Sequence, residues 1–539
     1  MSDKKRMTVA DFFCGAGGFS EGFRQKGFDV VFALDNWKPA IDTHQLNHPK
    51  CKHVLMDILE LDTPEKIDSV VPDTDIIIGS PPCVAFSWSN KAGKADKSFG
   101  IKLIKAYLRI IAWKKKRGVV KYWLLENVPN SGNHIKEEYS WEELGLPGKG
   151  PKLQMQQRNV FNAADYGAPQ TRKRFVCGDY IVPKITNDES QYIHMRDVFE
   201  KLGNPFVQKS SVVDPVYGFS LHSSKLTDHY YDSKVEEFEW KNAKRLKEDH
   251  GFMGKMSFPE NLDRPSRTVM ATMSASTRES MIFSSFDKTG KKKGYRLPTI
   301  REIAAFMSFP ITYQFEATNE GSKYRLVGNA VCAKLSGALA QAIAKEEGMK
   351  IPEKFLPLPD VEPSVNLNGR KRENKELNTK RSDAKFVMHV PYIKTRSFRV
   401  ELNNLESDFN KNKIEWNSVL HQGTGKGAMR CNARKEEVES LVKNLEDFKD
   451  FKKNLVGTFK GKLSSTNLQK SHCLNDDSNS PVAILEIIRT MVDKHFPEEK
   501  YCAVELDNSK RAINIGKDRI PARIATAFYA CNYFTSLLD

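Results

Sequence analysis

The sequence predicts an α/β fold built on a parallel sheet, and three observations carry the prediction. Short apolar runs recur: Met7-Thr8-Val9-Ala10, Val30-Val31-Phe32-Ala33-Leu34, His53-Val54-Leu55-Met56, Asp75-Ile76-Ile77-Ile78 and Tyr122-Trp123-Leu124-Leu125. Near-continuous runs of this length suit strands buried on both faces. Each run ends at a glycine turn, an acid or a proline, where open α/β sheets bind their ligands. Between the last two runs, Ile101 to Lys116 places apolar residues at helical spacing, as a crossover helix would.

The first strand end is Asp11-Phe12-Phe13-Cys14-Gly15-Ala16-Gly17-Gly18-Phe19-Ser20. Glycines at a strand-to-helix turn let a ligand approach the backbone, and the helix N-terminus favours anionic groups. The loop does not match GxGxxG, so a dinucleotide is not the first choice. Asp35 ends the second strand, where an acid is placed to accept hydrogen bonds from ribose hydroxyls. Capping the next helix is locally as good a reading. Asp57 follows the third strand. The fourth ends at Gly79-Ser80-Pro81-Pro82-Cys83. Two prolines force the backbone out of any ladder and hold the cysteine on a rigid loop. Residues Asn90 to Gly100 read as a long loop with the character of a lid. Lys114-Lys115-Lys116-Arg117 reads as a solvated helix end that suits the helix dipole. The fifth strand ends in Glu126-Asn127-Val128-Pro129, a carboxylate fixed before a proline turn. This rhythm of strand ends points to a nucleoside-containing cofactor.

Composition bounds the rest. A chain of 539 residues implies more than one domain. A net charge of +16 and a pI near 9.2 point to a polyanionic partner, with nucleic acid first. Nine scattered cysteines with no CxxC pair predict no metal site and no disulfide framework, and fit a reducing cytoplasm. Asp11 interrupts the N-terminal apolar stretch, a poor signal peptide. No uninterrupted apolar run is long enough to span a membrane.

Further along stand Tyr166-Gly167-Ala168-Pro169-Gln170-Thr171-Arg172-Lys173-Arg174, Arg264-Pro265-Ser266-Arg267-Thr268-Val269, Arg296-Leu297-Pro298-Thr299-Ile300-Arg301-Glu302, Phe306-Met307-Ser308-Phe309-Pro310 and Gly328-Asn329-Ala330-Val331. Together with Asp11 to Gly18, Pro81-Pro82-Cys83 and Glu126-Asn127-Val128, these segments resemble, in order, the motifs of the C5-cytosine-specific DNA methyltransferase family of bacterial restriction–modification type. The resemblance covers about the first 345 residues.

The resemblance implies a Rossmann-like S-adenosylmethionine-dependent methyltransferase sheet with an inserted target-recognition domain. It assigns residues 1–180 and 263–345 to the catalytic domain and 181–262 to target recognition. A basic linker is expected over 346–385 and a C-terminal α+β domain of unknown function over 386–539. The helix from Leu335 to Ala344 is expected to pack beside the first motif. The implied reaction is methyl transfer from S-adenosylmethionine to C5 of a flipped-out cytosine in a specific short sequence of double-stranded DNA. The implied setting is a bacterial or archaeal cytoplasm, with a cognate restriction endonuclease acting on the same site.

The chemistry is consistent with the residues. Cytosine C5 attacks a methyl sulfonium only after a thiolate adds at C6, and Cys83 is the candidate nucleophile. Glu126 is the candidate to stabilise N3. In the family the second arginine of the Gln-x-Arg-x-Arg motif, here Arg174, reaches the cytosine O2, and the first, Arg172, lines the site. The two arginines are read as facing opposite ways on a strand. The family correspondence puts Phe13, Gly15, Gly17, Gly18, Asp35, Asp57, Pro82, Asn329 and Val331 around the cofactor. Base flipping would cost a few kcal/mol, and the loop from Ser87 to Gly100 would close over the base.

Two positions depart from the family. Val84 stands where Gln or Asn is usual, with Trp88 on the same loop to supply bulk. Cys332 stands where the last motif has proline. Activity is expected to survive both. The recognition segment carries Tyr217, His222, Tyr230, Tyr231, Trp240, Lys241, Lys244, Arg245 and Lys247, suited mostly to phosphates and partly to base edges. In the C-terminal region a fused nuclease is disfavoured, because Glu505-Leu506-Asp507 lacks a lysine in register; an accessory DNA-binding or partner-binding domain is expected. Two rivals stay open: a tRNA cytosine methyltransferase on the same fold, and a catalytically dead DNA-binding relative.

Overall fold

The computed structural model describes residues 6–83, 86, 96–249, 255–287, 289–372, 380–394, 398–423, 428–461, 464–474, 479–497, 503–505 and 519–538. Val84, Trp88 and the expected lid up to residue 95 lie outside the described residues. The chain forms two units: residues 1–236 with 259–373, and residues 237–258 with 374–539.

The first unit is built on a seven-stranded sheet. Five parallel strands stand in the order β3-β2-β1-β4-β5: β1 Thr8–Phe12, β2 Asp29–Asp35, β3 Lys52–Leu55, β4 Ile76–Gly79 and β5 Tyr122–Asn127. Helices α1 Gly18–Gln25, α2 Lys38–Asn47, α3 Pro64–Val70 and α4 Ser98–Lys116 connect them. A small ribbon, β6 Glu138–Tyr139 and β7 Leu153–Gln154, precedes the hairpin β8 Gln157–Asn162 and β9 Lys173–Asp179. Strand β9 runs antiparallel to both β5 and β8. Every residue of β4 and β5 is buried, as their apolar runs require. The chain leaves β1 toward β2 and returns on its other side as β4, so a crevice opens beyond the carboxyl ends of β1 and β4.

The remainder of this unit contains α5 Met195–Leu202, the ribbon β10 Ser211–Val213 with β11 Ser220–His222, the ribbon β12 Phe283–Phe286 with β13 Lys292–Arg296, and α7 Ile300–Phe306, α8 Glu320–Asn329 and α9 Ala333–Glu346. Helix α9 packs on α1 at backbone distance. A Cβ at Gly22 would stand 2.4 Å from the Gly337 nitrogen, and one at Gly18 2.1 Å from the Val331 oxygen. Residues near the start of the first unit and residues beyond 330 meet there. By length and hydropathy the stretch Glu320–Glu346 is apolar enough to cross a membrane, but it is two helices, and most of its apolar window is buried in the protein.

The lysine-rich end of α4 differs from its expected solvated state. Lys114 is buried, and its ammonium donates to the Val71 carbonyl at 2.9 Å and to Asp73 at 2.8 Å, with Asp68 at 3.0 Å. Lys115 is half-buried against Asp179, and Lys116 and Arg117 are exposed.

The domain limits also differ from those expected. Residues up to 372 of the expected linker dock on the first unit. Leu367 is buried, and the side-chain oxygens of Asn366 and Asn368 accept from the backbone of Asp228, His229 and Tyr230. Residues 237–258, expected within the recognition segment, belong instead to the second unit. They carry α6 Glu237–Asp249, whose Glu239, Ala243 and Lys247 are buried in one stripe. Tyr392 donates to Glu248 at 3.1 Å, and Trp240 stacks on Phe258.

The rest of the second unit is an antiparallel sheet, β14 Val387–Lys394, β15 Phe398–Asn403, β16 Asn417–Gln422 and β17 Met429–Cys431, with helices α10 Lys435–Val442, α11 Phe448–Phe459, α12 Ser465–Leu474, α13 Pro481–His495 and α14 Ala522–Thr535. A last ribbon pairs β18 Ala503–Glu505 with β19 Arg519–Pro521. The nearly all-buried α14 is central to its core, with Ile524, Phe528 and Phe534 packing among Val400, Leu420 and Leu485. An α+β domain is what the sequence predicts here.

Candidate active site

Cys83 lies half-buried on the loop after β4, among residues anchored to the neighbouring strands. The Ser80 N–H donates to the Phe12 carbonyl at the end of β1 (3.2 Å). The Asn127 amide at the end of β5 donates to the Pro81 carbonyl (3.0 Å). Beyond the cysteine, Phe86 N–H returns to the Cys83 carbonyl (2.9 Å), and Asn130 donates to the Phe86 carbonyl (3.0 Å). The prolines supply no donors, so neighbouring side chains and main chain fix the loop.

Glu126, nearly buried on β5, uses both carboxylate oxygens. Oε2 accepts from the Ser80 hydroxyl at 2.7 Å, and Oε1 stands 2.9 Å from Arg174 Nε. The loop, the acid and the arginine thus form one connected set. Ser80 was not among the expected site residues; its signal is its place between the strand-ending glycine and the first proline.

The two arginines share one side of the site, contrary to the expectation that they face opposite ways. A step of two residues along a strand returns to the same face. Both side chains are buried. Burial, and next the neighbouring Arg174, lower the Arg172 pKa to about 10, while Cys332, Glu126 and Cys83 act in the other direction. Arg172 is committed to the protein's own backbone. Its guanidinium donates to the carbonyls of Val269 (3.0 Å), Gly328 (2.9 Å) and Ala330 (3.2 Å). It therefore clamps the last motif, on either side of Asn329, to the Arg264–Val269 motif. Gln170 and Thr171 join their own segment to the same Arg264–Val269 motif, through Val269 and Ser266. Asn329 is exposed, and Val331 is buried with its carbonyl against Gly18. Cys332, where proline is usual, is buried with its sulfur 3.8 Å from that of Met307; burial raises its pKa to about 11.

Of the residues expected on the cofactor side, Phe13, Gly15, Gly17 and Asp35 stand at the carboxyl ends of β1 and β2. Phe13, Gly15 and Gly17 all take positive φ, at 53°, 52° and 88°. At Phe13 this backbone is strained, since a side chain disfavours it. Asp35 Oδ2 accepts from Gly15 N–H (3.0 Å) and Oδ1 from Trp37 N–H (2.9 Å). The carboxylate so fixes the glycine loop against the start of α2, and burial raises its pKa. The glycines divide in role. A Cβ at Gly17 would stand 2.4 Å from the Tyr313 hydroxyl, whereas at Gly15 it meets only the Phe13 carbonyl at 3.9 Å. Gly15 is where the loop offers an open face, and a nucleoside cofactor fits that cradle. Asp57 is half-buried and caps a short 3₁₀ turn through Leu59 N–H (2.9 Å). Pro82 is exposed on the loop between Pro81 and Cys83.

The family model described as C-5 cytosine-specific DNA methylase matches residues 7–345. Type II methyltransferase M.MthTI of Methanothermobacter thermautotrophicus is 29% identical over 63% of this chain and 98% of its own length. Type II methyltransferase M.DdeI of Desulfomicrobium norvegicum is 26% identical over 63% of this chain and 88% of its own. Among solved structures, S. pombe Dnmt2 methyltransferase aligns with 64% of this chain and 100% of its own, at 16% identity and a TM-score of 0.42. With its motifs, its sheet and a match across more than half its length, the chain belongs to the C-5 cytosine-specific DNA methylase family.

Proposed function

We propose that the enzyme methylates C5 of a flipped-out cytosine in a specific short duplex sequence, through a covalent bond between Cys83 and C6. The observation that carries this reading is the Ser80–Glu126–Arg174 set, held beside Cys83 by hydrogen bonds from two different strands. The Cys83 thiolate adds to C6 and makes the ring an enamine at C5. Glu126 faces N3 and Arg174 faces O2, where negative charge builds as the sulfur adds. When bound, S-adenosylmethionine supplies the methyl group. Loss of the C5 proton to water and breakage of the Cys83–C6 bond then release the product.

Phe13, Gly15, Gly17, Gly18, Asp35, Asp57, Pro82, Asn329 and Val331 form the cofactor side in this reading. Gly15 offers open backbone and Asp35 a carboxylate for ribose hydroxyls. Arg172 acts by position: it holds the last motif on the site floor. The relatives' names as type II methyltransferases support a role as the modification half of a restriction–modification system, with a restriction endonuclease reading the same site in a bacterial or archaeal cytoplasm. Residues 181–236 and 259–262 would contribute to reading the DNA.

Bisulfite sequencing of DNA from cells expressing the wild type or Cys83→Ser tests the reading. Methylcytosine at one short motif, absent with the variant, is expected. Its absence in both would overturn the duplex substrate, and tRNA would be tested next.

A further inference from the structure

A second group of reactive side chains lies beneath the glycine loop, and methyl transfer makes no use of it. In the sheet register Asp11 pairs with Ala33, and Ala33 with His53, so the three stand in one row across β1, β2 and β3. The small alanine in the middle leaves room above the sheet, and polar side chains fill it. Ser20 on α1 donates to Asp11 Oδ2 at 2.6 Å. His44 on α2 meets Ser20 Oγ with Nε2 (2.9 Å) and His53 Nε2 with Nδ1 (2.9 Å). Cys51, which packs with Cys14, Ala33 and Ile41, completes the group. The donor atoms of His44, Cys51 and His53 all lie within 4.8 Å of one another, and among the described residues no other group of three such side chains converges this closely.

We propose that His44, Cys51 and His53 bind a soft divalent transition cation, zinc foremost. The donor set is two imidazoles and one thiolate, which zinc accepts at about 2.0–2.3 Å with a fourth position left for water. Closing the three atoms onto an ion takes side-chain movements of about 1 Å. The hydrogen bonds already select the right histidine form. Ser20 gives its one proton to Asp11, so its oxygen accepts from His44 Nε2–H, and His44 Nδ1 presents a lone pair toward the site. A ligating histidine ordinarily has its other nitrogen anchored in this way, here by hydroxyl and carboxylate in series. The site-facing nitrogen of His53, Nε2, lies 2.9 Å from His44 Nδ1. With the ion bound, His53 carries its proton on Nδ1 and the Cys51 thiol proton goes to solvent. Asp11 Oδ1, buried with no hydrogen-bond partner, marks the end of the series. Half-buried His53 gives access from solvent. The scattered cysteines hide such a site, because its ligands are spaced His44…Cys51-x-His53 rather than as CxxC.

The test uses the full chain, stripped with a chelator and titrated with cobalt(II) and then zinc. Expected are one cobalt per chain, a thiolate-to-cobalt charge-transfer band, the intense visible bands of a four-coordinate ion, and displacement by zinc. Cys51→Ser, a near-isosteric change checked for folding by circular dichroism, should lose the charge-transfer band and on the order of 100-fold in zinc affinity; Ser20→Ala, which removes the anchor of His44 together with the hydroxyl that Asp11 accepts from and is checked for folding in the same way, should keep the band and lose about 10-fold. Cys431→Ser in the second unit should change neither. A pale six-coordinate spectrum in the wild type, or a charge-transfer band that persists in Cys51→Ser, would overturn the site and leave the histidines as a hydrogen-bonded packing device.

Discussion

Glu126 and Arg174 face each other at 2.9 Å, Oε1 against Nε, with both side chains nearly buried. The acid cannot be removed without leaving the guanidinium short of a partner. Glu126→Gln keeps the shape and one acceptor but loses the charge. Methyl transfer should fall on the order of 10²–10⁴-fold, the usual weight of a positioned acid or base. Stability should fall by on the order of 3 kcal/mol, because a buried cation loses its counter-charge. Single-turnover methyl transfer beside urea unfolding separates the two effects; unchanged transfer would remove Glu126 from the chemistry.

Arg172 should behave differently although it stands two residues away. It holds three backbone carbonyls that belong to two motifs. Arg172→Ala should both destabilise the first unit and weaken S-adenosylmethionine binding, since the segment around Asn329 and Val331 loses its clamp. Arg172→Lys should recover little, because an ammonium cannot span carbonyls in a planar fork. Cofactor affinity by calorimetry is the measurement. Normal cofactor affinity in both variants would show that the clamp does not support the cofactor side.

The strands were legible in the sequence because buried parallel strands are short β-branched runs with abrupt ends, and Cys83, Glu126 and the glycine loop sit at those ends. The role of Arg172 was not legible, since its partners are main-chain carbonyls far along the chain that carry no sequence signal. The charged neighbours of Lys114 mask its place, yet helical spacing from Tyr107, Ile110 and Ile111 puts it on the buried face of α4. Ser80 carries no signal of its own in the sequence, because a hydroxyl beside two prolines reads as turn chemistry until Glu126 stands against it. The membership of α6 in the second unit rests on contacts with β14, far away in sequence.

Acid should destabilise the first unit through His229. The ring is buried, with Nε2 3.3 Å from the Gly203 carbonyl and Nδ1 3.1 Å from the Thr299 hydroxyl. A carbonyl only accepts, so Nε2 carries the proton and Nδ1 accepts. Burial is the main cause that pushes its pKa down to about 4. Unfolded, it titrates near 6.5 and binds more protons than the native state between those values. Stability is therefore complete above about pH 6.5 and falls by about 3 kcal/mol as pH drops to about 4. His48, pushed down to about 3, acts in the same direction. The diagnostic is thus the difference between wild type and His229→Gln in urea midpoint against pH. The variant should show the shallower acid slope, and parallel slopes would refute the assignment.

The division of the chain predicts how it can be cut. Helix α6 is encoded within the expected recognition segment but folds with residues 374–539. Its stripe Glu239, Ala243 and Lys247 is buried, so removing the C-terminal residues exposes that stripe and strips Glu248 of the Tyr392 hydroxyl. A chain ending at residue 373 should therefore associate or aggregate, even though its catalytic sheet is whole. Replacing residues 237–258 by a short Gly-Ser bridge in the same truncated chain should restore a monodisperse protein, because the orphaned helix is gone and the first unit keeps its own core. Size-exclusion chromatography with light scattering compares the two. If the simple truncation is already monomeric and well folded, α6 does not depend on the C-terminal chain. If only the bridged form is, the two stretches are one folding unit, and a boundary placed between them by position along the sequence divides a single core.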